Sequence, residues 1–549
     1  MRDFTKLLLG ALAASIAGGA SAAGYTTGVF LLNEGQYGKP ASICHLDAEG
    51  NWTDRAFAAA NGETTLGNTG AYAQFYGDDL YIVSKQANAT GAILSKADAS
   101  TLVLKASVSD LGIAGVQGRA FLAVNLDKAY LGTTKGVVVV NLADLSVSGV
   151  IEGILNEAGK EVECGNMFRV NDRVFITTKS PFIYVVDPAT DAIAGTIDMV
   201  ALTGNEKAKA ASIVVANDGA VWASVAGGTN GSTLPYLVKI TQSETDCTEL
   251  VTEVIDIPED IYAPANSWYT WTPDAFCASP VAPVLYWNGG ASSFASNKEL
   301  FRYDIESGEF SKFYGFAEDQ FLYGSAMRVS PLDGDIYLAY VSGSAWSDET
   351  TLARLNSAGE VIAAYPMTKE YWFPALPLFP DNAAPVAASF EKPFAVDADQ
   401  PSTVIDLRDI ATDADSHNAL MIKSLAGNPN PELAEMEVKH GLLTVYPTSG
   451  ANGAAVANIN VNSNGKETVV AVPLSISSTS GVENVAVSAE AVTAYRIGSG
   501  AVCLSGSGVA EVYSISGALV ACVTVDGMAT VDVPAGPVVV RFADRTFKL

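Results

Sequence analysis

The chain has 549 residues, of which 49% are hydrophobic and 17% charged, and its 60 Asp and Glu against 32 Lys and Arg give a formal net charge of −28. The apolar content excludes an intrinsically disordered chain, and the length predicts several folded domains. So acidic a chain repels phosphate backbones, which argues against nucleic-acid binding.

Residues 1–22 have the pattern of a secretory signal peptide. Arg2 and Lys6 supply the charged start, residues 7–16 the apolar stretch, and residues 20–22 the small-residue cleavage site. A membrane anchor is the weaker alternative, because glycines leave an apolar segment shorter than the ~20 residues that a span needs. No later stretch is long and apolar enough to span a membrane. We therefore expect a secreted or surface-associated mature chain without a transmembrane segment.

A repeat of roughly 45 to 65 residues organises residues 24–383, a period typical of propellers and solenoids. Each unit has a short opening strand, a turn rich in Asp, Asn and Gly, and a strand that carries a large aromatic side chain. Further turns with Asp and Gly join the following strands, since these residues tolerate the required backbone angles. The aromatic strands of six copies contain Tyr81, Tyr130, Phe175, Trp222, Tyr286 and Tyr337.

A seventh unit is split between the two ends of the repeat region. Residues 29–32 match an aromatic strand but have no opening strand before them, and we expect residues 373–379 to supply it. One C-terminal strand then joins three N-terminal strands. This arrangement predicts a seven-bladed β-propeller, because radial repetition limits exposed sheet edges. Amphipathic helices are nearly absent: the Ala- and Lys-rich run at residues 205–211 is the best helix candidate, and it is too short to matter.

Two smaller β regions follow the repeat, so the predicted fold class is all-β. Alternating apolar residues in segment 384–476 predict an immunoglobulin-like β-sandwich. A Ser/Thr-rich linker precedes a small C-terminal β domain at residues 482–549.

The second region contains a cluster of acidic residues. Oxygen ligands at such short spacing suit Ca²⁺, but the run lacks the EF-hand pattern and its distal Glu, so Asp-rich turns are the favoured interpretation. The residues are Asp406, Asp409, Asp413 and Asp415.

The cysteines and histidines offer little chemistry. The cysteines lack a CxxC pair and are too widely spread for a disulfide framework, which favours buried thiols. Pairing of Cys503 with Cys522, or of Cys247 with Cys277, is the alternative. The three histidines have no metal-ligand spacing, and neither a nucleophile elbow nor a phosphate-binding loop is present. No catalytic residue or metal site is predicted. A lyase or hydrolase is a further candidate function, ranked below two binding functions, because different blades could each supply one carboxylate of a catalytic pair.

A binding face follows from the predicted propeller. The loops before each opening strand and after each aromatic strand converge on one end of the central channel, where a ring offers a concave site. The candidate ligand-binding residues at this end are Asn33, Glu34, Tyr37, Tyr72, Lys85, Gln86, Arg119, Lys135, Asn166, Lys179, Asp274, Asn288, Trp346, Tyr371 and Trp372.

Two features of this face suggest a class of ligand. Rigid rings in the longest loop, residues 257–273, suit a flat or amphipathic ligand, with packing between blades as the alternative. Those rings are Tyr262, Trp268, Tyr269 and Trp271. The second feature is a locally cationic mouth that would steer an anionic ligand, with ordinary solvated side chains as the alternative. Its members are Lys85, Arg119, Lys135 and Lys179.

Three motifs carry a resemblance to a known family. They are residues 31–35 (LLNEG), residues 61–69 (NG followed by LGNT) and residues 371–381 (YWFPALPLFPD). On these motifs the chain resembles the YncE-like, DUF5074-type surface β-propellers of Bacteroidota, a group that includes a propeller capturing cobalamin for an outer-membrane TonB-dependent transporter. The resemblance implies a non-catalytic surface protein that captures a small molecule or cofactor, such as a corrinoid or other tetrapyrrole, for uptake. A carbohydrate- or protein-binding adhesin is the alternative.

The C-terminal region looks like a type IX secretion sorting domain. The resemblance rests on residues 513–517 (YSISG), on Pro534-Ala535-Gly536 and on the basic residues Arg541 and Lys548. It implies delivery to the outer cell surface, and a plain accessory β domain is the alternative.

Overall fold

The computed structural model describes residues 24–36, 38–227, 233–264, 276–289, 298–344, 347–478, 492–497, 500–542 and 545–549. The chain divides into two compact units. The first extends to Ala388 and includes Ala411–Lys423 and Val461–Thr468. The second comprises Ser389–Ile410, Ser424–Asn460 and Val469–Leu549.

The first unit contains seven four-stranded antiparallel sheets. It begins with β1 (Val29–Asn33), β2 (Ser42–Leu46), β3 (Trp52–Thr53) and helix α1 (Ala56–Asn61). The second and third sheets contain β4 (Asn68–Tyr76), β5 (Asp79–Gln86), β6 (Leu94–Asp98) and β7 (Leu104–Val108), then β8 (Gly118–Ala123), β9 (Lys128–Thr133), β10 (Gly136–Asn141) and β11 (Val147–Val150). The fourth contains β12 (Cys164–Val170), β13 (Arg173–Thr178), β14 (Phe182–Asp187) and β15 (Ala192–Asp198), and helix α2 (Met199–Thr203) follows.

Three further sheets and one returning strand complete this part of the unit. The fifth sheet contains β16 (Ala208–Val215), β17 (Val221–Gly227), β18 (Thr233–Gln242) and β19 (Leu250–Asp256). The sixth contains β20 (Phe276–Ala278), β21 (Val284–Gly289), β22 (Glu299–Asp304) and β23 (Phe310–Gly315). The seventh contains β24 (Gln320–Val329), β25 (Ile336–Ser342), β26 (Thr350–Leu355) and β27 (Val361–Pro366), and β28 (Pro374–Leu378) follows it.

Strand β28 completes the first sheet, whose order is β28-β1-β2-β3. Phe30 of β1 lies opposite Leu378, which confirms the predicted pairing of a C-terminal strand with the N-terminal strands. The first strand of each sheet lies beside the first strand of the next, and the series β28, β4, β8, β12, β16, β20, β24 returns to β28. The seven sheets therefore follow one another in a closed cycle.

Burial patterns explain why the inner strands are almost continuously apolar. Strands β8 and β9 are buried along nearly their whole length, because neighbouring sheets cover both faces. The outermost strand β15 alternates between exposed and half-buried residues. Aromatic side chains of the repeat bridge neighbouring sheets: the ring of Tyr81 stacks on that of Phe121 with centroids 4.8 Å apart.

Asp residues close the tight turns that the sequence predicts. Asp304 accepts a hydrogen bond from the backbone N–H of Ser307 at 2.9 Å, and Gly308 adopts a positive φ of 72°. Asp47 likewise accepts from the backbone N–H of Asn51 at 2.7 Å. These hydrogen bonds hold the pKa of both carboxyls below the usual range.

Residues 205–211, the best helix candidate although too short to matter, do not form a helix. The capping signals lie earlier, where Asp198 accepts from the backbone N–H groups of Val200 and Ala201, and Gly204 ends α2 in the left-handed conformation. Strand β16 then begins at Ala208, because the β-branched residues at 213–215 favour an extended chain in the cycle of sheets.

The remainder of the chain is also built of strands. They are β29 (Val386–Ala387), β30 (Phe394–Asp397), β31 (Thr403–Asp406), β32 (Ala411–Thr412), β33 (Ile422–Gly427), β34 (Ala434–Lys439), β35 (Leu442–Pro447), β36 (Gly453–Ser463) and β37 (Lys466–Ser477), with a 3₁₀ turn at Asn418–Leu420. They form sheets β29-β32, β30-β37-β36-β33 and β31-β35-β34. The immunoglobulin-like assignment and the predicted domain boundaries stay predictions.

The C-terminal sheet has five strands: β38 (Thr493–Ile497), β39 (Ala501–Ser514), β40 (Leu519–Asp532), β41 (Val538–Phe542) and β42 (Arg545–Lys548). None of the six cysteines, all of which are described, forms a disulfide. Cys503 lies opposite Thr530 and Cys522 opposite Glu511, so these two cysteines occupy distant positions on the β39–β40 ladder.

Candidate functional site

Six charged side chains lie at the end of the first unit where the second strand of each sheet ends and the first strand begins. Their positions follow from antiparallel pairing: Glu34 directly follows β1, whereas Glu163 directly precedes β12. Together they span the first five sheets in chain order. We call Glu34, Lys85, Arg119, Glu163, Lys179 and Lys209 the charged cluster.

Glu163 lies between two cations of this cluster. Its Oε1 accepts from Nε of Arg119 at 2.5 Å, and its Oε2 lies 2.7 Å from Nζ of Lys179. The guanidinium also donates to the Gly118 carbonyl and to Oε1 of Gln117, both at 2.9 Å. Burial alone raises the pKa of Glu163, but the two cations outweigh it and hold that pKa below its usual range. Glu163 is therefore an ionised carboxylate that fixes both cations.

Glu34 is the other carboxylate, and its environment acts in the opposite direction. The residue is only 6% exposed, and this burial raises its pKa to about 7. Lys85, the hydroxyl of Tyr323 and Arg119 oppose the rise. That hydroxyl donates to Oε2 of Glu34 at 3.2 Å. Near neutral pH, Glu34 therefore exchanges between its protonated and ionised forms.

Two lysines of the cluster are partly desolvated. Burial lowers the pKa of Lys85, and the charges of Arg119 and Lys179 lower it further, against the opposing effect of both carboxylates. Burial also lowers the pKa of Lys209, again with the charge of Lys179 acting in the same direction. Burial is the larger cause for both lysines, and the neighbouring cations act in the same direction.

Several other predicted site residues are buried. Asn166 connects two neighbouring sheets, because its Nδ2 donates to the Ile213 carbonyl at 2.7 Å and its Oδ1 accepts from the Ile213 N–H at 3.3 Å. Trp372 is 2% exposed and donates to the Thr368 carbonyl at 2.8 Å. Asn33, Tyr72 and Asn288 are also buried.

The remaining predicted residues divide into two groups. Lys135 is in the predicted cationic mouth, but its Nζ donates to the Ala114 carbonyl at 2.5 Å and it is not an electrostatic partner of the cluster. Gln86, Tyr262 and Tyr371 are exposed. Outside the described residues lie Tyr37, Trp268, Tyr269, Trp271, Asp274 and Trp346.

Sequence reasoning missed Glu163, Lys209 and Tyr323. Glu163 comes two residues before Gly165 of β12, and Tyr323 directly precedes Gly324 of β24. A search that also counted the two residues before a glycine in a first strand as candidate site residues would have found Glu163 and Tyr323. Lys209 lies in the run that was considered only as a short helix candidate.

A cavity of about 310 Å³ lies at the other end of the first strands. Apolar side chains such as Phe75 and Met167 line it together with His417, a residue of the segment Ala411–Lys423 that belongs to the same unit. Burial lowers the pKa of His417 to about 4, so the imidazole is neutral. Nearby, Lys466 lies 2.7 Å from a carboxylate oxygen of Asp381.

Three of the four Asp residues considered for Ca²⁺ accept backbone hydrogen bonds. Asp415 accepts from the N–H groups of Asn382 and Ala383, Asp413 accepts from that of Asp415, and Asp406 accepts from that of Arg408. Within the described ranges, no group of three or more His, Cys, Asp or Glu side chains is placed to hold a metal ion. No helix in the described part of the chain is long and apolar enough to cross a membrane.

Comparisons with known proteins extend this account. The family described as Domain of unknown function (DUF5074) matches residues 27–380. No curated protein matches the chain. The crystal structure of a quinonprotein alcohol dehydrogenase-like protein from Bacteroides thetaiotaomicron VPI-5482 is similar at a TM-score of 0.49 and 16% identity, over 65% of this chain and 79% of that one. A likeness at this level assigns neither fold nor function.

Proposed function

Because the chain belongs to the DUF5074 family, we propose that its seven sheets are the blades of a β-propeller that captures a small molecule or cofactor at the charged cluster. The observation that carries this proposal is the cluster itself. Side chains from five successive sheets bring desolvated charges together at one end of the closed cycle. Such concave ends of rings are common ligand sites, and perturbed ionisable groups often accompany them.

A non-catalytic role fits the partners of the cluster. Glu163 is held by Arg119 and Lys179, and Glu34 is nearly inaccessible to solvent. Groups fixed in this way are preorganised for recognition, because little side-chain entropy remains to be lost on binding.

The proposal includes secretion and a position at the outer cell surface, with a TonB-dependent transporter as partner. It also takes residues 384–476 as an immunoglobulin-like spacer and residues 482–549 as a sorting signal. Brief proteolysis of intact cells tests the location: a surface protein is cleaved, whereas an enclosed one survives until the cells are lysed. Deletion of residues 482–549 should retain the protein inside if the tail is the sorting signal.

Isothermal titration calorimetry tests capture directly. The mature chain, from residue 23 onwards, is titrated with cyanocobalamin, haem and a panel of glycans. We expect binding at sub-micromolar concentration to one tetrapyrrole and its loss in the Trp268→Ala and Trp271→Ala variants. Tyr446→Ala removes an exposed ring of the second unit and is the matched control. If only glycans bind, the proposed capture function is wrong and the carbohydrate-binding adhesin is supported instead.

A second candidate function, glycoside hydrolysis, is favoured by the contrast between the two carboxyls. A raised pKa at Glu34 and a lowered pKa at Glu163 are the environments required of a general acid and of an ionised partner. Release of reducing sugar from polysaccharides, abolished by Glu34→Gln, would establish it. Turnover by the variant at the wild-type rate would exclude Glu34 as the acid.

A further inference from the structure

We propose that the charged cluster takes a ligand bearing an oxyanion, a carboxylate or a phosphate group, which the ammonium groups of Lys85, Lys179 and Lys209 bind. This inference rests on the proposed function and names the chemical class of its ligand. It starts from the composition of the cluster, in which four cations face two carboxylates.

The balance of charge among the six residues of the cluster contrasts with that of the whole chain. The protein carries a formal charge of −28, yet cations outnumber carboxylates two to one within the cluster. At physiological ionic strength, charges farther away than about 8 Å are largely screened, so an approaching ligand responds mainly to the local excess. A concave surface of low dielectric strengthens that local field.

The two carboxylates of the cluster leave this excess in place. Glu163 is engaged by Arg119 and Lys179, which orient each other through it. Glu34 is buried against Tyr323 and is protonated for part of the time near neutral pH. Neither carboxylate therefore cancels the combined charge of the three lysines.

The three lysines are also accessible enough to contact a ligand. Lys85 and Lys209 are half-buried, and the side chain of Lys179 is 35% exposed. Each comes from a different sheet, so their ammonium groups approach from separate directions. Charge-assisted hydrogen bonds to an oxyanion are shorter and stronger than neutral ones. An anion bound there would offset the repulsion among the cations.

Lys209→Gln and Lys135→Gln form the matched pair of variants for the test. Lys209 belongs to the cluster, but the Arg119–Glu163–Lys179 ion pairs do not depend on it. Lys135 comes from the same end of the unit, follows β9 and has its own backbone partner. Both substitutions remove one positive charge at that end, so a general electrostatic effect would appear in both. Circular dichroism and urea midpoints show that each variant is folded.

Calorimetry on the mature chain then compares glucuronate and glucose 6-phosphate with neutral glucose. We expect at least one anionic sugar to bind tenfold or more tightly than glucose, with the affinity falling as salt is added. We expect Lys209→Gln to weaken that binding about tenfold, which is one lost charge-assisted contact of about 1.4 kcal/mol, and Lys135→Gln to leave it unchanged. The stronger of the two anions identifies the carboxylate or the phosphate as the preferred group.

Equal binding of all three sugars, no binding of either anionic sugar, or equal effects of the two substitutions would overturn the inference. The proposed function fails on a different result, namely no binding of any compound, or binding of glycans alone, in the tetrapyrrole and glycan titrations. If a neutral ligand binds to Lys209→Gln with the wild-type affinity, the proposed capture function is supported and the proposed oxyanion ligand is contradicted.

Discussion

Replacing Glu34 by Gln should change how the stability of the first unit depends on pH. The folded unit raises the pKa of Glu34 from 4.5 to about 7 through burial, so it binds a proton more tightly than the unfolded chain does. The stabilisation from this proton is fully present below pH 4.5 and is lost as the pH rises through 7. A glutamine at this position has no such titration.

The size of the effect follows from the two pKa values. Each unit of difference corresponds to about 1.4 kcal/mol, and most of the interval from 4.5 to 7 lies between pH 5 and pH 8. The wild-type free energy of unfolding should therefore fall by about 2 to 3 kcal/mol relative to that of Glu34→Gln over this range.

Urea denaturation followed by tryptophan fluorescence measures this difference. All seven tryptophans precede Ala388, so the signal reports on the first unit. Glu306→Gln, which changes an exposed carboxyl of the same unit, is the control and should follow the wild type. Parallel curves for the wild type and Glu34→Gln from pH 5 to pH 8 would refute the account of Glu34.

Three further substitutions test individual contacts by the same urea assay. Asn166→Ala leaves the backbone N–H and C=O of Ile213 without their side-chain partner and should cost about 2 kcal/mol; a loss below about 0.5 kcal/mol would contradict this role. Lys466→Met leaves Asp381 without its cation and should cost about 3 kcal/mol at pH 8. The loss should be smaller at pH 5, because burial raises the pKa of Asp381 to about 6, and equal losses at both values would refute the explanation. Gly28→Ala places a Cβ 2.1 Å from a backbone carbonyl oxygen at a φ of 86° and should cost about 2 to 4 kcal/mol, whereas wild-type stability would show that the turn relaxes freely.

The sequence predicts the sheets well because their signal is local and repeated. Tyr81 and Trp222 recur at equivalent positions since each fills the space between neighbouring sheets, and both are buried. The return of residues 374–378 to β1 could be predicted because the first repeat lacks an opening strand.

The site was harder to predict because its chemistry depends on contacts between sheets. Glu163 lies in the loop that precedes β12, and only the fold places it against Arg119. The raised pKa of Glu34 arises from burial. The sequence shows only that Asn33 and Glu34 are two polar residues at the end of a strand, and it does not show that they are buried. Lys209 was missed because the Ala- and Lys-rich run around it shows no clear strand pattern, whereas the structure places it near the start of β16.

Hydrogen–deuterium exchange with mass spectrometry tests the central claim most directly, since it locates a bound ligand on the mature chain. The compound used is whichever of cyanocobalamin, haem and the anionic sugars binds by calorimetry. The account predicts slower exchange at residues 84–91 and 163–166, which lie at the end that carries the charged cluster, and unchanged exchange at residues 124–128 at the opposite end. Protection confined to residues 124–128, or absent from residues 84–91 and 163–166, would contradict it.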